Sequence, residues 1–140
     1  MTAVTSLSFV SVLVEVQDLR YSLTGISHQE VEYTDEFESW WNSLTGEEQE
    51  DVAASIGLLE EMGPRLPFPH SSGIQGSKHG VMRELRVQHK GRPYRILYAF
   101  DPRRVAILLI GGDKTGDDRW YNRYVPIADR LYEEHLIAIE

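Results

Sequence analysis

Two arginines nine residues apart, Arg86 and Arg95, flank a Lys90-Gly91 turn in Arg83-Glu84-Leu85-Arg86-Val87 and Gly91-Arg92-Pro93-Tyr94-Arg95-Ile96-Leu97-Tyr98. A two-residue loop at Lys90-Gly91 sets the flanking strands antiparallel and places Arg86 directly opposite Arg95. Glu84 and Leu97 then share that face, while Val87 with Tyr94, Leu85 with Ile96 and Arg83 with Tyr98 fall on the other. Two guanidinium groups facing each other repel unless something neutralises them. Glu84, diagonal to Arg95, can complete a surface ion-pair group. Alternatively an anion, above all a phosphate, can sit between the two guanidinium forks on the solvent side. Spacing leaves both open. Lys78 and His79, set between Gly76 and Gly80, could bring an amine and an imidazole to such a phosphate, or could form a solvated turn. Gly73 and Gly76 make no phosphate-binding loop, because no strand precedes them and no Gly-Lys-Ser/Thr follows.

These side chains must be positioned by a sheet. Val81 to Gly112 reads as three short strands rich in aromatic and β-branched residues, broken at Lys90-Gly91-Arg92-Pro93 and at Asp101-Pro102-Arg103-Arg104. A two-residue loop at Pro102-Arg103 would pair Phe100 with Val105, Tyr98 with Ile107 and Ile96 with Leu109, leaving Leu97, Ala99 and Leu108 beside the arginines. A loop longer or shorter by an odd number reverses these faces. Ahead of the meander, Val31-Glu32-Tyr33 is a short strand. Thr34 or Asp35 caps a helix with Phe37, Trp40, Trp41 and Leu44 inward. Thr45-Gly46-Glu47-Glu48 is a capping box for a second helix that buries Val52, Ala53, Ile56 and Leu59 and ends at Gly63-Pro64. The two form an antiparallel hairpin across the sheet. Residues 64–80 are a Pro- and Gly-rich loop. After the sheet, Asp117 or Asp118 caps a last helix striped by Tyr121, Tyr124, Val125, Ala128, Leu131, Tyr132 and Leu136, with Pro126 kinking it or starting a separate helix. The expected fold is therefore α+β, an antiparallel sheet of three to five strands packed on a helical hairpin, with a C-terminal helix. Residues 1–30 form an N-terminal extension, either an edge strand through Val10, Val12, Val14 and Val16 or disordered, ahead of a domain at 31–140.

The 140 residues include 14 Lys and Arg, 22 Asp and Glu and no cysteine, for a net charge of −8. Disulfides and thiolate metal sites are excluded, and a general polyanion binder is disfavoured. The charge is uneven: residues 78–104 hold eight bases against two acids, +6, which leaves −14 for the rest. A basic sheet on an acidic body suits an anion met locally. The five histidines lack metal-ligand spacing, no cofactor is expected, and no nucleophile elbow occurs. Leu7 to Val16 is too short to cross a membrane, and Glu15 interrupts it.

The order strand, helical hairpin, basic loop, three-stranded meander, Lys-containing loop and helix, with Leu85-Arg86-Val87, Tyr94-Arg95-Ile96-Leu97-Tyr98 and Gly111-Gly112-Asp113-Lys114, resembles the HigB-like branch of the RelE/ParE toxin superfamily over residues 31–136. The resemblance implies a cytoplasmic type II toxin: a ribosome-dependent endoribonuclease, or mRNA interferase, that is silenced by a cognate antitoxin of helix-turn-helix type. It places the family's functional positions on Arg95, Arg86, Lys114 and Tyr121. Arg95 and Arg86 become clamps on the scissile phosphate. His79, Glu84 or Lys114 serves as acid or base, Tyr121 contacts a base, and Lys78, Arg83 and Arg92 help bind substrate. One departure is that Met82 and Glu84 stand where relatives carry a basic pair. That departure keeps two rivals alive, a ParE-like inhibitor of DNA gyrase and a non-catalytic, degenerate toxin that binds antitoxin.

Overall fold

The computed structural model describes residues 4–6, by backbone alone, and 28–140. The valine alternation at 10–16 lies outside the described residues. The chain forms β1 (Val4–Ser6), β2 (Val31–Thr34), α1 (Asp35–Asn42), α2 (Gly46–Met62), a 3-10 turn at Gly63–Arg65, β3 (Ser71–Gly73), β4 (Arg83–His89), β5 (Arg92–Phe100), β6 (Ala106–Asp113) and α3 (Trp120–Ala138). The strands make one sheet in the order β1-β2-β6-β5-β4-β3. All neighbours are antiparallel except β2 and β6, which run parallel. The α+β class, the helical hairpin and the C-terminal helix stand as read. Beside the meander the sheet holds β2 and, at its two edges, the three-residue strands β1 and β3, the latter inside the stretch read wholly as loop.

The β4–β5 hairpin has the expected register, with Arg86 opposite Arg95, Leu85 opposite Ile96 and Glu84 opposite Leu97. Lys90 and Gly91 both have positive φ, 50° and 78°, the signature of a type I′ turn, whose twist matches that of the strands. The next hairpin departs from expectation. Asp101 pairs with Val105, and Arg104 adopts φ 66°, so the loop has three residues, the last left-handed. Phe100 thus faces Ala106 and Tyr98 faces Leu108, which moves Leu108 under the hairpin of helices and turns Ile107 and Leu109 to the opposite side. A bulge between Leu97 and Tyr98 shifts the register back, so that Arg95 faces Gly112. Thr34 stitches this irregularity: its hydroxyl donates to the Leu109 carbonyl at 2.6 Å while accepting the Phe37 N–H at 3.0 Å as cap of α1.

Helices cover both faces. α1 and α2 bury Phe37, Trp41, Val52, Ile56 and Leu59 against Leu85, Val87, Tyr94, Ile96, Tyr98 and Leu108. On the other face, α3 buries Val125, Ala128, Leu131 and Tyr132 against Leu97, Ala99, Ile107 and Leu109. α2 begins with the expected box, Thr45 accepting the Glu48 N–H and Glu48 accepting the Thr45 N–H. α3 passes through Pro126 without a break, and its N-cap is Arg119, whose N–H is taken by Asp117 Oδ1. Two glycines let tryptophans approach the sheet from opposite sides. A Cβ on Gly111 would collide with the Trp40 ring, and one on Gly112 would lie 2.7 Å from Trp120 Nε1.

Candidate functional site

Because α3 begins at Trp120, only its apolar length covers Leu97, Ala99, Ile107 and Leu109. Its first turn instead lays Tyr121 over the polar end of the same face, where Glu84, Arg86 and Arg95 meet. Glu84 is the hub. Its Oε2 accepts from the Ser72 hydroxyl at 2.6 Å and from Arg86 Nη1 at 3.2 Å. Its Oε1 accepts from the Tyr121 hydroxyl at 2.5 Å and lies 3.3 Å from Arg95 Nε. Arg95 Nη1 is further tied to the Tyr94 carbonyl at 3.0 Å. Burial raises the Tyr121 pKa above that of an ordinary phenol, and the bond to Glu84 adds to this while Arg95 opposes it. The phenol therefore stays protonated and donates.

Exposure divides the two guanidiniums. Arg95 is 6% exposed and Glu84 6%, whereas Arg86 keeps 30% of its side chain in contact with solvent. Arg95 therefore does not stand on the open surface. It is enclosed by Glu84 and the first turn of α3, away from the aromatic core on the sheet's other face. Glu84 takes the ion-pair place foreseen for it, but as a buried bridge between both arginines rather than a surface partner. Ser72, Arg86 and Tyr121 donate to its two oxygens, and Arg95 Nε lies beside Oε1 as an ion-pair partner. Lys114 lies at the rim, its ammonium 5.3 Å from the centre of the Tyr121 ring. Phe68 closes the opposite rim: the Arg86 guanidinium lies over its ring at 5.2 Å.

The remaining expected residues lie elsewhere. His79 sits 3.5 Å from Glu133 and edge-on to Tyr132. Those partners lie eleven and twelve residues beyond Tyr121 on α3, about 17 Å along the axis. Ser77 and the Lys78 backbone are held by Asp129, and the Lys78 side chain is exposed. Arg83 falls on the helical-hairpin side, donating to Ser71 at 3.1 Å. Arg92 also turns to that side, against Tyr94, with Glu48 and Asp113 as acidic partners. His79, Lys78, Arg83 and Arg92 thus do not join Arg86 and Arg95. The basic stretch is also largely matched from within: Lys90 pairs with Glu47, and Arg103 with Asp101 and Glu32.

The model of the phage-derived protein Gp49-like family (DUF891) matches residues 39–133, most of the chain and all of the residues around Glu84. The chain belongs to this family, and it is HigB-like. It is 44% identical over 104 residues to a Mycobacterium tuberculosis protein named "Putative toxin HigB2", covering 73% of this chain and 52% of that one. It is 43% identical over 102 residues to "Putative toxin HigB3" of the same organism, covering 72% and 88%. It therefore spans about half the length of the first relative and most of the second. No solved structure matches it.

Two members of the cluster around Glu84 escaped sequence reading. Ser72 comes from β3, whose Ser-Ser-Gly composition carries no strand signal. Phe68 stands alone between two prolines, where an aromatic shows no periodicity to read. Among the described residues no group of His, Asp and Glu could hold a metal ion, and no helix is long and apolar enough to cross a membrane.

Proposed function

We propose that this protein is the toxin of a type II toxin–antitoxin pair and that it cuts mRNA on the ribosome. The 2′-hydroxyl, losing its proton to solvent water, would attack the adjacent phosphorus, and the bond to the 5′-oxygen would break as that oxygen takes up a proton, leaving a cyclic phosphate and a free 5′-hydroxyl. The observation that carries this reading is the Arg86–Glu84–Arg95 bridge on one sheet face, rimmed by Tyr121 and Lys114 in a HigB-like chain. Arg86, the exposed member, contacts the phosphate and stabilises the charge that builds on it. Arg95 and Glu84 act from behind, Glu84 by fixing Arg86 and the Tyr121 hydroxyl. Lys114, beside Tyr121 at the rim, would give a proton to the leaving oxygen. The partners are the ribosome, mRNA and an antitoxin, of helix-turn-helix type, that silences the toxin; all place the protein in the cytoplasm.

Inducible expression in bacteria with mapping of new mRNA 5′ ends tests this. The wild type should arrest growth and create such ends, and Arg86→Ala should abolish both without lowering the melting temperature by more than a few degrees. Undiminished cleavage by folded Arg86→Ala would remove the phosphate role. A second reading has its own support. Glu84 neutralises both arginines, as suits a non-catalytic protein that binds antitoxin. It predicts no growth arrest but a stable antitoxin complex, and a gyrase supercoiling assay on the same protein covers the ParE-like case.

A further inference from the structure

Phe68 is the most exposed large apolar side chain among the described residues, at 69%, yet it is rigidly mounted. Leu66, two residues before it, is buried in the core. The His70 and Ser71 amides both return to the Pro67 carbonyl, at 2.9 and 3.1 Å, and the Arg86 N–H binds the His70 carbonyl at 2.8 Å. The turn is thus pinned to the strand that carries Arg86. The Arg86 guanidinium covers one side of the ring at 5.2 Å while giving a single hydrogen bond, through Nη1, to Glu84. Its other N–H groups are left for an anion. A flat apolar ring fixed beside a half-exposed cation is complementary to a planar group covalently joined to a phosphate.

We infer that Phe68 and Arg86 form a nucleotide platform, in which a base stacks on the Phe68 ring while its phosphate meets the Arg86 guanidinium. This rests on the RNA reading above and adds to it a base-binding position on the opposite rim from Tyr121. Stacking of this kind tolerates any base, since every base has a flat π face. The platform would hold the RNA in place without choosing its sequence.

The test is a binding cycle on ribosomes programmed with a short synthetic mRNA, made uncleavable by a 2′-deoxy sugar at the scissile position. Labelled wild type, Phe68→Ala and Phe68→Tyr are titrated against these ribosomes and against ribosomes whose mRNA carries one abasic nucleotide, scanned through the site. At one position the abasic sugar should weaken wild-type binding by about tenfold to a hundredfold. Phe68→Ala should bind the intact mRNA correspondingly more weakly and be indifferent to that abasic change, and Phe68→Tyr should behave as wild type. Equal abasic losses in wild type and Phe68→Ala would overturn the platform while leaving the nuclease reading intact. Wild-type binding that does not depend on mRNA at all would overturn both. Loss of antitoxin binding in Phe68→Ala, with mRNA binding unchanged, would reassign the ring to a protein contact and likewise overturn it.

Discussion

Replacing Glu84 by glutamine isolates what the buried carboxylate does. The amide keeps the length of the side chain and can still accept from Tyr121, but it no longer carries the charge that faces Arg95 and Arg86. Arg86 is half in water and loses little. Arg95 is 6% exposed, and a buried charge stripped of its partner costs about 3–5 kcal/mol. Because the amide preserves some hydrogen bonds, the lower end is expected, about 3 kcal/mol, or a fall of roughly 10 °C in melting temperature for a domain of this size. Arg86 and Arg95, no longer neutralised, then draw an anion from solvent, which meets the more exposed Arg86 first. Inorganic phosphate at about a hundred times its dissociation constant would restore about 2.7 kcal/mol, most of the loss. Thermal melts of wild type and Glu84→Gln in phosphate, against chloride at matched ionic strength, read both effects. The variant should melt lower and respond to phosphate, whereas the wild type, with its own carboxylate in place, should respond far less. An unchanged melting temperature, or equal phosphate responses, would refute the idea that Glu84 occupies an anion's place. Arg95→Gln combined with Glu84→Gln should cost less than the two singles together, by the coupling expected of groups in contact.

Gly112→Ala forces a methyl group against Trp120 Nε1 and should destabilise by about 1–3 kcal/mol; unshifted tryptophan emission and an unchanged melt would show the indole free to move. Thr45→Ala removes the α2 cap and should cost about 1 kcal/mol, seen as a lower urea midpoint at constant slope. Tyr94 is pushed up to about 12, first by burial and then by its hydrogen bond to Glu48. A raised phenol pKa gives stability that is whole below the ordinary value of about 10 and is lost as pH climbs towards the folded value. Denaturant melts over that alkaline window should show a decline that Tyr94→Phe flattens; parallel curves for the two proteins would contradict the assignment.

Local signals located much of this molecule and failed where one residue changes parity. The Thr45 box, the Lys90-Gly91 turn and the Arg86–Arg95 pairing are all set within a few neighbours, by side-chain oxygens and by φ values that glycine favours. The second hairpin is different. Pro102 signals a turn, but whether two or three residues close it depends on Arg104 entering the left-handed region, which no composition announces. One extra residue sent Leu108 to one face and Ile107 to the other. Four positions later a bulge, held by the Thr34 hydroxyl, reversed the error.

The bulge selects which glycine lies in the site. Without it Gly111 would stand opposite Arg95; with it Gly112 does, its bare backbone admits Trp120, and Tyr121 comes down over Glu84. Sequence could pair the arginines and name Glu84 as the acid between them. The lid that encloses Arg95 follows only from three dimensions, because it is the product of a missing side chain on one strand and an indole on a distant helix. The open cation is accordingly Arg86, and any anion entering this face meets Arg86 first and must compete with Glu84 before it reaches Arg95.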